Sequence, residues 1–319
     1  MSFEVPKIEN YKFYLDVAFK KARTKSSQKK IGPSSDKLTK IKILEFTKIE
    51  TINSVLNSKL RNIIISFPNF ENLTEFYTEL VRTTIDYKEL KKSLGAMDWA
   101  NKKTSEFSRQ YKSKIRGSKT IEDIRKHSQQ YYGRISSVLK QISKNLAFLE
   151  ETRKIMREFP SIKDNIFTVA IAGFPNVGKS TLLSKITTAK PEIKSYAFTT
   201  KKLNMGYIKT ETRKAQLIDT PGTLDRFNKM NNIEKIAYLA IKYCTNMIIY
   251  TFDLTEPYPL KDQKKLLKKL REFDKPIINY LSKTDILDKK TVSDFKKKTK
   301  VVTDLEELKK IVMEEMKKY

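Results

Sequence analysis

The chain has 319 residues and carries 65 Lys and Arg against 37 Asp and Glu, a net charge of +28. An excess of that size draws a protein toward polyanions and makes the binding steeply salt-dependent. The single cysteine, Cys244, and the single histidine, His127, exclude intramolecular disulfides, metal–thiolate clusters and Ser/His/Asp or Cys/His catalysis. Chemistry must come from carboxylates, hydroxyls, lysines, backbone amides and bound ions. Apolar residues make up 39% of the chain, enough for about two cores at this length. No segment approaches the roughly 18 uninterrupted apolar residues of a membrane span. Residues Met1–Asn10 lack the apolar region of a signal peptide, so a cytoplasmic protein with no membrane partner is expected.

The excess charge is shared: residues 1–165 hold 34 basic and 19 acidic side chains, +15, which leaves +13 for the remainder. The first segment mixes Phe3, Tyr11, Phe13, Tyr14 and Phe19 with a basic run of Lys20, Lys21, Arg23, Lys25, Lys29 and Lys30. It breaks at Ile31–Ser35. From Asp36 to about Phe67, apolar residues keep helical spacing until Pro68 and Asn69 end the pattern. A shorter helix is expected over about Asn72–Thr84. Asp86 with Glu89 reads as a capping pair opening a third helix to Arg116, stopped by Gly117. Its second half is basic, with Lys102, Lys103, Arg109, Lys112, Lys114 and Arg116. Thr120 with Asp123 opens one long helix to about Phe159, its inner face carrying Ile121, Ile124, Tyr131, Ile135, Val138, Ile142, Leu146 and Leu149. Residues 1–160 therefore read as an all-helical bundle. Its tyrosines and phenylalanines read as core rather than as base-stacking platforms. The two basic runs fit either solvated helix faces or phosphate-contacting surfaces.

After the polar connector Pro160–Asn165, short apolar runs alternate with helices over 161–319. The runs are Phe167–Ala172, Lys202–Lys209, Ala215–Asp219, Met247–Asp253, Pro276–Leu281 and Lys300–Thr303. This order predicts a six-stranded, mostly parallel sheet covered on both faces. Glycine is scarce, 8 residues in all, yet Gly173, Gly178, Gly206 and Gly222 fall within fifty positions. Gly173–Ser180, G-F-P-N-V-G-K-S, fits the phosphate-loop pattern between an apolar strand and a helix, with Thr181 as a second hydroxyl.

The loop's companions narrow its meaning. Asp219-Thr220-Pro221-Gly222 ends a strand about forty residues on, where a carboxylate holds magnesium through water and the glycine amide reaches a γ-phosphate. Tyr196-Ala197-Phe198-Thr199-Thr200 lies between and lacks periodicity. Thr200 is the expected metal contact and Thr199 the second choice. Ser282-Lys283-Thr284-Asp285 follows a strand, and an Asp there accepts from guanine N1–H and the exocyclic amine; with adenine it would be left unpaired. By itself the tetrapeptide also fits a helix cap. In this scheme the amides of Asn176, Val177, Gly178, Lys179, Ser180 and Thr181 cradle phosphate at a helix N-terminus. Lys179 bridges the β- and γ-phosphates, while Ser180, Thr200 and Asp219 serve the Mg2+. Thr223 follows Gly222 where many switches carry a water-orienting Gln, which predicts slow intrinsic hydrolysis.

The ordered set G-F-P-N-V-G-K-S, Y-A-F-T-T-K, D-T-P-G and S-K-T-D resembles translation-factor-class GTPases of the Obg branch. The stretch Lys194–Lys201 narrows the resemblance to the nucleolar GTP-binding protein 1 family, and Phe67–Phe70, Leu90–Ala100 and Tyr132–Val138 are similar to that family's helical domain. The resemblance covers about residues 5–305. It implies a helical bundle ahead of a P-loop GTPase domain, GTP or GDP with Mg2+, and a role in assembling the large ribosomal subunit. The helical domain would dock on rRNA, for which Lys20, Lys21, Arg23, Lys25, Lys102, Lys103, Arg109, Lys112 and Arg116 are the favoured contacts. Ribosomal proteins or other assembly factors are further implied partners of a monomeric chain. Asn176 resembles the residue that, in potassium-stimulated relatives, helps to hold K+, which gives it a catalytic part beside Lys179, Thr200 and Gly222. Ser282 stands where the family usually has Asn, and Val302-Thr303-Asp304 is the nearest candidate for its last guanine-contacting element. The chain is expected to be of the short archaeal type without a C-terminal extension. Two alternatives stay open: a regulatory GTPase on mature ribosomes, and an RNA-binding scaffold with a degenerate GTPase domain.

Overall fold

A computed structural model describes residues 4–32, 35–157, 159, 162, 166–187, 192–195, 202–209, 213–220, 232–255 and 258–319. They form two compact units, one of residues 2–71 and 85–157, the other of residues 72–84 and 158–319.

The first unit is helical: α1 (Tyr11–Ser27), α2 (Lys37–Ser66), then α4 (Tyr87–Gly117), α5 (Ile121–Gln141) and α6 (Ser143–Arg157). Each of the first four starts where a side-chain oxygen accepts an otherwise orphaned amide. Asn10 accepts from Phe13, Asp36 from Thr39, Asp86 from Glu89 and Thr120 from Asp123. At α5 the exchange is reciprocal, because Thr120 Oγ1 also donates to Asp123 Oδ2 at 2.7 Å. The expected single helix over 120–159 is two, separated at Ile142, whose amide returns to the carbonyls of Val138 and Lys140. Hydrophobic periodicity runs across that break: Ile124, Tyr131, Ile135, Val138, Ile142, Leu146 and Leu149 are all buried. The pattern of inward residues was therefore readable through a junction that it cannot reveal. Tyr14, Tyr111 and Tyr131 are core, as expected.

Helix α3 (Glu75–Thr84) clusters with the second unit. Its Phe76, Tyr77, Leu80 and Val81 are buried, it packs on α8 (Asn232–Cys244), and Tyr77 Oη accepts from the Ile162 amide at 3.2 Å. The rest of that unit is a six-stranded sheet in the order β2-β3-β4-β1-β5-β6. The strands are β1 (Phe167–Ala172), β2 (Glu192–Ser195), β3 (Lys202–Lys209), β4 (Lys214–Asp219), β5 (Met247–Phe252) and β6 (Ile277–Leu281). Strands β4, β1, β5 and β6 run parallel, while β2 and β3 are antiparallel additions at one edge.

The strand count matches expectation but one member differs. Lys300–Thr303 contributes only an isolated bridge, Tyr280 to Val302, and Glu192–Ser195 supplies the sixth strand. That edge segment, Glu-Ile-Lys-Ser, has no continuous apolar run for a sequence pattern to detect. Both faces of β1 are covered, as a central parallel strand requires. Val169 and Ile171 pack toward α7 (Lys179–Ile186) and α11 (Leu305–Lys318), and Ala170 and Ala172 toward the side of α9 (Leu260–Arg271) and α10 (Lys289–Lys298).

Gly206 in β3 lets α7 approach the sheet. A Cβ there would lie 2.4 Å from Thr187 Cγ2 and 3.1 Å from Leu183 Cδ1, and Thr187 is held in place by its own bond to Leu183 O, 2.8 Å. Gly206→Ala is therefore expected to destabilise the protein by about 1–3 kcal/mol through overpacking, read as a lower urea midpoint. Adding Thr187→Ser, which deletes the offending methyl and keeps a hydroxyl, should restore most of the loss.

Candidate functional site

Parallel pairing aligns the carboxyl ends of β1 and β4, with Ile171 opposite Asp219. Ligands of open α/β sheets bind at such ends. The chain leaves β1 through Gly173, at φ +152°, where a Cβ would sit 2.7 Å from Thr251 O. It then passes Asn176 at φ +61° and enters α7 from Gly178 at φ +91°. These left-handed positions turn the backbone back over itself and favour glycine.

Lys179, the first residue of α7, is buried, and its Nζ donates to Phe174 O at 2.6 Å, so the ammonium lies under the arch of the loop. Burial lowers its pKa to about 8, an effect that the Asp219 charge partly offsets. Burial raises the Asp219 pKa, opposed by the bond from Ser180, the Lys179 charge and the bond from Asn204. Ser180 Oγ donates to Asp219 Oδ2 at 2.5 Å, and Asn204 Nδ2 approaches the same oxygen at 3.3 Å. A hydroxyl and a carboxylate meeting at a helix N-terminus form an oxygen-only donor pair that fits Mg2+, which takes few protein ligands and keeps several waters. Of the expected metal residues, Ser180 and Asp219 are brought together. Thr200, Thr199, Gly222 and Thr223 lie outside the described residues.

The tetrapeptide expected to recognise the base, Ser282–Asp285, follows β6. Ser282 is buried, with Oγ at 2.7 Å from Val177 O and 2.9 Å from Phe252 O; its one proton serves one of these carbonyls at a time. Although smaller than Asn, it ties the phosphate loop to the β5 end. Lys283 takes φ +54° and forms an ion pair with the buried Asp253 carboxylate at 2.6 Å. Burial opposes that charge, but Lys283 and the bonds from Thr255 hold the Asp253 pKa below the usual carboxylate range. Sequence reasoning missed Asp253 and Asn204. Asp253 had a signal, since it closes β5 much as Asp219 closes β4; Asn204, within a strand, had none.

Asp285 is exposed and does not cap a helix. That part falls to Asp288, which accepts from the Thr291 amide at 2.8 Å, so the cap explanation for the tetrapeptide fails. Asp304, weighed as part of a last guanine contact, is spent as the cap of α11 through the Glu307 amide at 2.8 Å.

In the helical unit, Lys20, Lys21, Arg23 and Lys25 are exposed on α1 and none of them has an ion-pair partner among the described residues. The α4 run differs. Lys102 pairs with Asp98 at 2.6 Å, Lys103 with Glu106 at 2.7 Å and Lys112 with Glu50 at 2.5 Å, while Arg109 and Arg116 are exposed. The free positive charge is therefore stronger on α1.

A phosphate loop on the first strand of a mostly parallel sheet, a hydroxyl–carboxylate pair beside it and an Asp-bearing loop after β6 define a P-loop GTPase domain. Residues 168–283 match the family described as 50S ribosome-binding GTPase, and residues 4–163 match the NOG1 N-terminal helical domain. The chain belongs to the NOG1 family. An uncharacterised protein of Methanocaldococcus jannaschii is 39% identical over 259 residues, 80% of this chain and 73% of that one. Nucleolar GTP-binding protein 1 of Arabidopsis thaliana is 29% identical over 292 residues, 90% of this chain and 43% of that one. The Saccharomyces cerevisiae protein of the same name is 31% identical over 256 residues, 79% and 40% respectively. The chain thus spans less than half the length of these two eukaryotic relatives.

The depressed Lys179 pKa carries a sign. Between about pH 8 and 10.5 the unfolded chain keeps a proton on this lysine that the folded, nucleotide-free protein sheds. Stability from this group therefore rises with pH through that window and is lost as the pH falls to 8. A bound nucleotide's phosphates favour the charged lysine, so GDP binding should take up close to one proton at about pH 9 and almost none at about pH 7. Calorimetry in buffers of different ionisation heat measures this directly.

Proposed function

We propose that the chain is a GTP-binding and GTP-hydrolysing assembly factor for the large ribosomal subunit, docking on rRNA through its helical unit. The observation that carries this reading is the joining, in one chain, of a NOG1 helical unit bearing free cations on α1 with a GTPase domain in which Lys179, Ser180 and Asp219 converge. The buried Lys179 and the Ser282 tie on the loop weigh against a degenerate GTPase domain, since a vestigial site has no need to hold a desolvated ammonium under its phosphate loop.

In this reading the amides of residues 176–181 bind the phosphates and Lys179 sits at the β- and γ-phosphates. Asp285, with Lys283 held by Asp253, selects guanine. Ser180, Asp219 and Thr200 would hold Mg2+, which would supply positive charge to the phosphates. Gly222 is the residue whose amide would meet the γ-phosphate. Thr223, which follows Gly222 in the sequence, has no amide to orient water as Gln does, so turnover is slow without a partner. Asn176, exposed at the tip of the loop, is the side chain through which K+ acts.

Lys179→Ala should lower GTP turnover by about 10²-fold or more while the protein stays folded. Particles purified with Lys179→Ala or Thr200→Ala should be immature large subunits; recovery of finished ribosomes would favour a regulatory role instead. Turnover by the unaltered chain should be faster in potassium than in sodium buffer, and Asn176→Ala should abolish the difference.

A further inference from the structure

Among the aromatic residues of the helical unit that lie outside its core, two line a cleft. Phe19 on α1 and Tyr132 on α5 are half-buried, stand edge-to-face with centroids 5.6 Å apart, and line a cleft of about 400 Å3 together with Ala22, Arg23, Lys48 and Ile52. Phe19, Ala22 and Arg23 share one face of α1 because they are three and four positions apart. Lys48 and Ile52 do the same on α2. The floor is apolar, with Ala22 and Ile52 buried, and the cleft falls within the volume range of small-ligand sites, about 300–1,000 Å3.

The polar groups around it are not equivalent. Tyr132 Oη donates to Glu45 Oε2 at 2.7 Å, and Lys48 pairs with Glu45 Oε1 at 2.6 Å. Burial works against the Glu45 charge, but the bonds from Lys48 and Tyr132, the Ser128 hydroxyl and the Lys48 charge together hold the pKa below the ordinary value. Glu45 therefore stays ionised, fixes the Tyr132 ring and neutralises Lys48. Arg23 remains the uncompensated cation at the rim, within the run Lys20, Lys21 and Lys25. An apolar slot walled by fixed aromatic rings, with free positive charge only at its mouth, suits a ligand that is flat and apolar in its face and anionic where it enters.

We propose that this cleft accepts one unstacked nucleobase of a single-stranded or bulged RNA segment, with the adjoining phosphate held by Arg23. The inference rests on the proposed docking of the helical unit on RNA, and it adds a mode of recognition: a base withdrawn from a helix, in place of backbone contact alone. Aromatic stacking contributes to such binding whatever the base, because every base offers a π-face.

The test uses the full chain with a short oligouridylate and an RNA duplex of equal length, followed by fluorescence anisotropy over a salt series. Phe19→Leu keeps apolar bulk and removes the ring; it should weaken oligouridylate binding at least about fivefold, leaving the salt slope and the duplex affinity unchanged. Arg23→Gln should reduce the salt slope by about one. Iodouridine in the oligonucleotide should cross-link to Phe19 or Tyr132. Equal affinity for duplex and single strand, or no effect of Phe19→Leu with unchanged melting temperature, overturns the proposal while leaving RNA docking through α1 intact if Arg23→Gln still lowers the slope. A cleft that takes a protein side chain instead gives no cross-link there, which also overturns it. If neither RNA binds at low salt, RNA docking itself fails and the cleft assignment with it.

Discussion

A lysine ammonium and an aspartate carboxylate, both withdrawn from water at the carboxyl ends of neighbouring parallel strands, constrain most of the second unit. Removing such charges from solvent is costly unless each finds a partner. Lys179 has the Phe174 carbonyl and the Asp219 charge; Asp219 has Ser180 and Asn204. These partners come from β1's exit loop, the first turn of α7, β3 and the end of β4. The arrangement therefore exists only if β1 and β4 pair in the register that sets Ile171 against Asp219. The same burial that lowers the Lys179 pKa makes the site receptive to an anion that stabilises the charged form of the lysine.

A second tie holds the loop from the other side. Ser282 reaches Val177 and Phe252, and Lys283 is anchored on Asp253. The phosphate loop is thus fastened to the ends of β5 and β6 as well as to β4. A hydroxyl does here what a longer amide is expected to do, because Ser282 Oγ comes within 2.7 Å of Val177 O. The phosphate loop and the Ser282–Asp285 segment, far apart in the chain, are joined through this one buried side chain.

The helical unit follows a different logic, in which charge is common and freedom of charge is not. On α4 the acidic residues Asp98 and Glu106, with Glu50 of α2, occupy several lysines. Exposed pairs of this kind contribute little stability, but they reduce the local excess of positive charge. On α1 there is no such compensation among the described residues. The aromatic pair Phe19 and Tyr132 adjoins that uncompensated run, and it is half-buried where Tyr14, Tyr111 and Tyr131 are core.

Much of this architecture was legible beforehand because it rests on short-range rules. Strand β1 and helix α7 flank a loop whose glycines are demanded by backbone geometry. Capping residues Asp86 and Thr120 announce their helices, and the inward residues of α5 and α6 repeat at helical period. Asp219 and Lys179 stood out as candidates because strand-end carboxylates and loop lysines are tied to phosphate chemistry at fixed spacing. What escaped was long-range. The break at Ile142 leaves the periodicity untouched, and β2 is an edge strand with no apolar run. The association of α3 with α8 depends on a partner more than a hundred positions away. The Ser282–Val177 contact, the Asp253–Lys283 pair and the assignment of the cap to Asp288 rather than Asp285 were decided by which strand ends lie side by side. The sequence by itself determined the class of chemistry and the two-part organisation, since both follow from local pattern. Only the tertiary structure decided which charges are paired and which are free, because pairing depends on distances between segments that no local pattern specifies.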